Sequence, residues 1–131
     1  MSKFVWTDDF SVGNNAMDAD HQKLVEMIND LDVAINLEAS IEYLSEILSR
    51  LVEYTQTHFQ REEALLESLG FAEFDAHKAQ HHELLDIAHD FNRQFSITPS
   101  FFKMEEILDL LTDWLKNHIL QEDMKYKNLS K

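Results

Sequence analysis

The chain of 131 residues contains no cysteine, one proline and two glycines. The absence of cysteine excludes disulfide bonds, thiolate zinc sites, iron–sulfur clusters and catalysis by a thiol. Because so few residues suit tight turns, the long stretches between the turns favour helices over strands. No apolar run approaches the roughly 18 residues that a membrane span needs, and Met1–Phe10 lacks the basic-then-apolar order of a signal peptide. We therefore expect a cytoplasmic protein without membrane insertion.

Basic residues are also scarce, since 11 lysines and arginines stand against 25 aspartates and glutamates, and the formal net charge is −14. This surplus of negative charge repels phosphate backbones and anionic lipid, which excludes nucleic acid as a partner. The hydrophobic content of 44% is too high for a disordered acidic chain. The length suits a single domain over residues 1–131, and we expect it to be a monomer.

Four stretches of the chain carry apolar residues at alternating spacings of three and four, which is typical of amphipathic helices. They predict an N-terminal arm over residues 1–17, followed by helices at roughly 19–37, 41–69, 73–95 and 99–120. Helices of this length with short connections favour an all-α fold, an antiparallel up-down-up-down four-helix bundle.

The predicted helix ends carry recognisable capping residues. Asp18 or Asp20 is suited to cap the first helix, and Gly70 is suited to end the second. Thr98 followed by Pro99 indicates a cap and a first helical residue for the fourth helix.

Six polar residues lie on the apolar stripes, and burying them without partners would cost several kcal/mol each. They are His21, His58, Glu62, His77, His81 and His118. An antiparallel hairpin reflects residue numbers about its turn, and this reflection places all six in one layer of the bundle. Neutral imidazoles cannot all form hydrogen bonds with one another there, so the pattern predicts a metal site. The donors suit iron, zinc, copper or nickel, and their number fits two ions.

The same residues carry a resemblance to a known family. The pattern comprises His21, His58-x-x-x-Glu62, His77-x-x-x-His81 and His118-x-x-x-x-Asp123, preceded by an arm motif of Trp6 to Phe10, Val12-Gly13 and Asp18-x-x-His21. It resembles the hemerythrins, and specifically the single-domain bacteriohemerythrins. That resemblance implies a non-haem centre of two iron ions (Fe2+/Fe3+) with a bridging oxo or hydroxo group, which binds O2 reversibly.

The resemblance also implies a role for each ligand. His77, His81 and His118 would hold one iron, His21 and His58 would hold the other, and both carboxylates, Glu62 and Asp123, would bridge them. With the oxo or hydroxo bridge, the first iron then has six ligands, whereas the second has five and keeps one position open for dioxygen.

Asp123 does not follow from helical periodicity, because it lies five residues after His118 and so about 140° round a regular helix. Glu122 would lie on the same face as His118. The resemblance therefore requires the last helix to end or loosen near Leu120, and a regular helix through residue 125 would contradict it.

Side chains beside the ligands are candidates for a dry O2 pocket, namely Leu24, Phe59, Trp114 and Ile119. His82 and His89 lie off the ligand face, and we expect them at the surface or behind the ligands.

Three functions remain open. The first is an O2 carrier, store or delivery protein without enzyme activity, with an O2-consuming or redox protein as a candidate partner. The second is a sensor of oxygen, nitric oxide or redox state that acts through a separate partner. The third is a peroxidase-like or nitric-oxide-handling enzyme. The chain lacks the Glu-x-x-His motifs of oxygen-activating di-iron bundles, which favours the first.

Overall fold

A computed structural model describes residues 3–129, so the outermost residues of the predicted arm and domain, 1–2 and 130–131, lie outside the described part. Four α-helices account for most of it: α1 (Asn15–Asn36), α2 (Ile41–Ser68), α3 (Phe74–Ile97) and α4 (Phe101–Gln121). Short 3-10 helices span Asp8–Phe10 and Asp123–Tyr126, and residues 3–129 contain no strand. The predicted all-α four-helix bundle is confirmed.

Each helix packs against two neighbours. Both α1 and α3 contact α2 and α4. The predicted apolar stripes face the centre, where Leu24, Leu48, Leu84 and Leu108 are all buried. None of the helices within residues 3–129 is long and apolar enough to cross a membrane.

The first helix begins earlier than predicted, inside the predicted arm of residues 1–17. The expectation that Asp18 or Asp20 caps it is wrong, because Asn14 has extended backbone angles and its side chain accepts a hydrogen bond from the Met17 amide at 3.0 Å. The carboxylate of Asp18 instead accepts from the Val12 amide at 2.8 Å and from the Ser11 hydroxyl at 2.6 Å. Asp18 therefore ties the arm to α1.

Of the predicted ends of the other helices, one is confirmed and one is wrong. Gly70 has a φ of +64°, and it follows α2 directly after the C-cap Leu69, as predicted. The prediction for α4 is wrong, because Ser100 rather than Thr98 caps it, with a hydrogen bond from the Lys103 amide at 3.4 Å. Pro99 consequently lies in the connection before α4.

Candidate metal centre

The seven sequence-predicted site residues lie together at one end of the bundle, near the start of α1 and α3 and near the end of α2 and α4. They are His21, His58, Glu62, His77, His81, His118 and Asp123, and none is more than 5% exposed. Their ligating atoms form two groups, one with three histidines and one with two, and Glu62 belongs to both.

Three imidazole nitrogens converge in the first group. His118 Nε2 lies 3.1 Å from His81 Nε2 and 3.3 Å from His77 Nε2. Glu62 Oε1 lies 2.7 Å from His77 Nε2 and 3.1 Å from His81 Nε2, and Asp123 Oδ1 lies 3.1 Å from the Nε2 atoms of His77 and His118. Adjacent ligands of an octahedral ion with bonds near 2.1 Å are about 3 Å apart. The spacing of these five atoms fits one such ion.

The second oxygen of each carboxylate faces the other two histidines. His21 Nε2 lies 3.2 Å from Asp123 Oδ2 and 3.6 Å from Glu62 Oε2. His58 Nε2 lies 3.5 Å from the same Glu62 oxygen. Glu62 and Asp123 therefore each direct one oxygen to the three-histidine group and one to the two-histidine group, which is the arrangement that carboxylates bridging two cations require.

Three buried polar atoms in this cluster make no hydrogen bond, although ligating atoms of neighbouring residues lie within 3.2 Å of two of them. They are both ring nitrogens of His21 and Oδ1 of Asp123. Such groups are costly unless something satisfies them, and ligation of His21 Nε2 and Asp123 Oδ1 to cations would remove most of that cost. The donor set of imidazole nitrogens with two carboxylates fits a pair of transition-metal ions.

The electrostatics of the cluster also favour positive charge. Burial lowers the pKa of His21, but the carboxylates of Asp123 and Glu62 outweigh this and raise it to about 10. The same competition raises the pKa of His77 to about 9. Burial raises the pKa values of Glu62 and Asp123, yet their histidine neighbours hold both well below the usual range. The carboxylates are therefore ionised at neutral pH, and their charge attracts cations.

Asp123 reaches the cluster because α4 ends before it. The last helical residue is Gln121, the Glu122 amide donates to the His118 carbonyl at 2.8 Å, and a 3-10 helix begins at Asp123. The side chain of Glu122 points away from the centre and pairs with Lys125 at 2.9 Å. The predicted irregularity near Leu120 is confirmed, and a regular helix through residue 125 does not occur.

A family model described as the hemerythrin HHE cation-binding domain matches residues 12–129. The chain belongs to the hemerythrin family. Bacteriohemerythrin from Pseudomonas aeruginosa is 34% identical over 127 residues, which cover 96% of this chain and 80% of that relative. Bacteriohemerythrin from Clostridium acetobutylicum is 31% identical over 126 residues, covering 94% of this chain and 98% of the relative. A solved structure of wild-type hemerythrin superposes with a TM-score of 0.87 at 28% identity, covering 99% of this chain and 100% of the other.

In this hemerythrin domain a second layer of side chains supports the two-histidine group. His58 Nδ1 donates to Asp20 Oδ2 at 2.8 Å, and Arg61 binds both oxygens of Asp20 at 2.8 and 2.9 Å. The Tyr54 hydroxyl donates to Asp20 Oδ1 at 2.9 Å. Burial raises the pKa of Asp20, but these contacts outweigh it and hold that pKa below the usual range. Asp20 therefore presents a charged acceptor that orients the ring of His58.

These supporting residues were not predicted from the sequence. Asp20 was expected only as a helix cap, although it lies four residues before Leu24 and thus on the buried stripe of α1. Arg61 and Tyr54 belong to α2, and their contact with Asp20 depends on how two helices pair, which periodicity within one helix does not report.

The three-histidine group and the bridging carboxylate of Glu62 also have supporting residues. His81 Nδ1 lies 2.8 Å from Glu63 Oε2, so Glu63 stands behind His81 as Asp20 stands behind His58. The buried Tyr126 hydroxyl donates to Glu62 Oε2 at 2.9 Å, and burial raises the pKa of Tyr126 above its usual value. Tyr126 was likewise not predicted from the sequence; it lies three residues after Asp123, one turn along the 3-10 helix.

The hemerythrin site is flanked by aromatic rings. Phe59 stacks on His81 with ring centroids 3.7 Å apart, and Trp114 stacks on His118 at 4.3 Å. Of the four predicted pocket residues, Leu24, Phe59 and Ile119 are buried and Trp114 is half-buried. His82 and His89 are exposed, in agreement with their exclusion from the ligand set.

Proposed function

We propose that this protein binds dioxygen reversibly, as a carrier, store or delivery protein, at a di-iron centre. The observation that carries the proposal is the division of the Glu62 and Asp123 oxygens between three histidines on one side and two on the other. Membership of the hemerythrin family supports it. We propose no enzyme activity for the site, and a cytoplasmic monomer remains our expectation.

In this proposal each ligand has one role. His77, His81 and His118 would hold one iron, His21 and His58 would hold the other, and Glu62 and Asp123 would bridge them beside an oxo or hydroxo group. When bound, the two irons would supply the two-electron redox chemistry that reversible binding of dioxygen requires.

The unequal number of histidines in the two groups indicates where dioxygen would bind. The two-histidine side offers one nitrogen donor fewer than the three-histidine side, so an external ligand finds its place beside His21 and His58. The ligands are almost completely buried, and the rings of Phe59 and Trp114 cover His81 and His118. This exclusion of water withholds stabilisation from charged oxygen species that would otherwise leave the site, which favours release of neutral dioxygen.

One observation favours the alternative, a sensor of oxygen, nitric oxide or redox state that acts through a separate partner. Asp20 links the buried ring of His58 to Arg61, whose side chain is 43% exposed. A change of charge at the metal centre would alter the contacts of His58 with Asp20 and of Asp20 with Arg61. A partner protein would detect the change at the exposed side chain of Arg61.

The test is a spectroscopic cycle on the protein loaded anaerobically with Fe2+. We expect a visible absorption band on exposure to air and its loss under vacuum, over repeated cycles. His58→Gln should abolish the band, whereas His82→Gln, which changes an exposed histidine outside the cluster, should retain it. Oxidation without a reversible band in the unchanged protein would contradict the proposal and favour a sensor or an enzyme.

A further inference from the structure

A groove runs along the surface between α1 and α2 and ends at the connection of these two helices. Its volume is about 610 Å³. The apolar residues that line this α1–α2 groove include Val33, Ala34, Leu37, Ala39, Tyr43 and Ile47. The two alanines are small and lie between larger side chains, so the surface is concave there.

The core of the bundle does not account for the apolar side chains of the α1–α2 groove. Val33, Leu37 and Tyr43 are 55%, 76% and 51% exposed, and they adjoin Ile47, which packs against the core. Val33 and Leu37 are four residues apart, as are Tyr43 and Ile47, so each helix presents an apolar pair on one face. Apolar surface that is contiguous in this way marks a contact site for another molecule.

The charge around the groove is negative. The segment from Lys23 to Arg50 contains six acidic and two basic residues. Both bases line the groove, but Lys23 already pairs with Glu26 at 3.7 Å and Arg50 pairs with Glu46. Asp30 also lines the groove, so its rim carries a net negative charge.

This charge selects among possible occupants. A second copy of the chain, with a net charge of −14, would bring acidic residues against acidic residues, and an anionic lipid surface would be repelled in the same way. A positively charged occupant is attracted instead. The groove also has the length of a helix, because the 14 positions from Lys23 to Leu37 correspond to about 21 Å along α1.

We propose that the α1–α2 groove binds an amphipathic helix of a partner protein, with an apolar stripe flanked by lysine or arginine. Such helices lay side chains at spacings of three and four into a groove of this kind. Leu37 and Tyr43 would contact the stripe, and Asp30 would attract the flanking bases. The proposal does not rest on dioxygen binding, because Leu37 lies 16 residues, or about 24 Å of helix, beyond the ligand His21.

The probe is a synthetic helical peptide of about 14 residues, with a leucine stripe flanked by lysines, added to the isotope-labelled, iron-loaded protein. Amide chemical shifts should change along the groove between Asp30 and Ile47, and the affinity should fall as added salt screens the charges. The same peptide with glutamate in place of lysine should bind at least about 10-fold more weakly. Equal binding of the two peptides, or shift changes confined to other surfaces, would overturn the proposal.

Two serine variants separate the groove from general attraction between opposite charges. Leu37→Ser should weaken binding of the lysine peptide about 10-fold, because it removes an apolar contact. Ile97→Ser should leave binding unchanged, because Ile97 is 83% exposed at the end of α3 and outside the groove. Both positions are exposed, so both variants should fold, and circular dichroism checks this. Equal affinities of the two variants would overturn the proposal.

Sedimentation of the protein without peptide tests the competing occupant. We expect a sedimentation coefficient that does not depend on concentration, in the unchanged protein and in Leu37→Ser alike. A dimer that Leu37→Ser abolishes would overturn the proposal, because a second copy of the chain would then cover the groove.

Discussion

Replacement of Asp20 by asparagine tests how much the charged hydrogen bond from Asp20 to His58 contributes to metal binding. Asparagine keeps the size of the side chain but turns one carboxylate oxygen into an amide group that donates. Asp20 Oδ2 accepts from both His58 and Arg61, and Oδ1 accepts from Arg61 and Tyr54. An amide has one acceptor oxygen for these donors, so Asp20→Asn either loses the His58 contact or keeps it without the negative charge.

We expect Asp20→Asn to lower the metal affinity at the two-histidine side. Hydrogen bonds to charged groups contribute about 1.5 to 3 kcal/mol against about 0.5 to 1.5 kcal/mol for neutral pairs. Loss of the charge at Asp20 should therefore cost about 1 to 3 kcal/mol. Removing such a partner of a ligating histidine typically lowers metal affinity about 10- to 100-fold, which agrees with this range. Arg61 is partly exposed and can turn to solvent, so we expect the variant to fold.

Anaerobic Fe2+ titration followed by calorimetry measures the effect, with the two binding steps analysed separately. Asp20→Asn should weaken one step by about 10- to 100-fold and leave the other unchanged. Glu63→Gln is the matched variant, because Glu63 contacts His81 in the three-histidine group at 2.8 Å, and it should weaken the other step. Unchanged affinity in Asp20→Asn, or an equal loss in both steps, would refute the reasoning.

Three further predictions concern the surroundings of the centre. Tyr126→Phe should lower the free energy of unfolding by about 1 to 3 kcal/mol, because it removes the buried donor to Glu62; urea unfolding at constant iron content measures this, and an unchanged midpoint would contradict it. Replacing Leu24 with alanine, or Trp114 with leucine, should hasten autoxidation by admitting water beside the ligands, and an unchanged autoxidation rate would argue against a protective pocket. Removing the metal with a chelator should lower the melting temperature in calorimetry, because only the folded chain brings the ligands together and metal binding therefore stabilises it; an unchanged melting temperature would indicate that the centre holds no metal.

The ligand cluster is the part of the site that the sequence predicts best. Helical spacing assigns His21, His58 and Glu62 to buried faces, and reflection about the turns brings them to one depth without any knowledge of side-chain contacts. Asp123 required more than periodicity, because only a resemblance to a family indicated that α4 ends before it. The physical reason is the change from α-helix to 3-10 helix after Gln121, which turns Asp123 inward.

Other features depend on contacts between elements, and the sequence pattern does not report these. Asn14 caps α1 although acidic residues that are suited to capping follow it, because the arm uses Asp18 for its own backbone. The bond between Tyr126 and Glu62 joins residues 64 positions apart.

The stoichiometry of dioxygen binding tests the central claim most directly. The protein, loaded with Fe2+ under anaerobic conditions and analysed for metal, should contain two irons per chain, take up one dioxygen per chain in a gas titration, and return it under vacuum. Uptake of dioxygen that vacuum does not return, or a single iron per chain, would contradict the account.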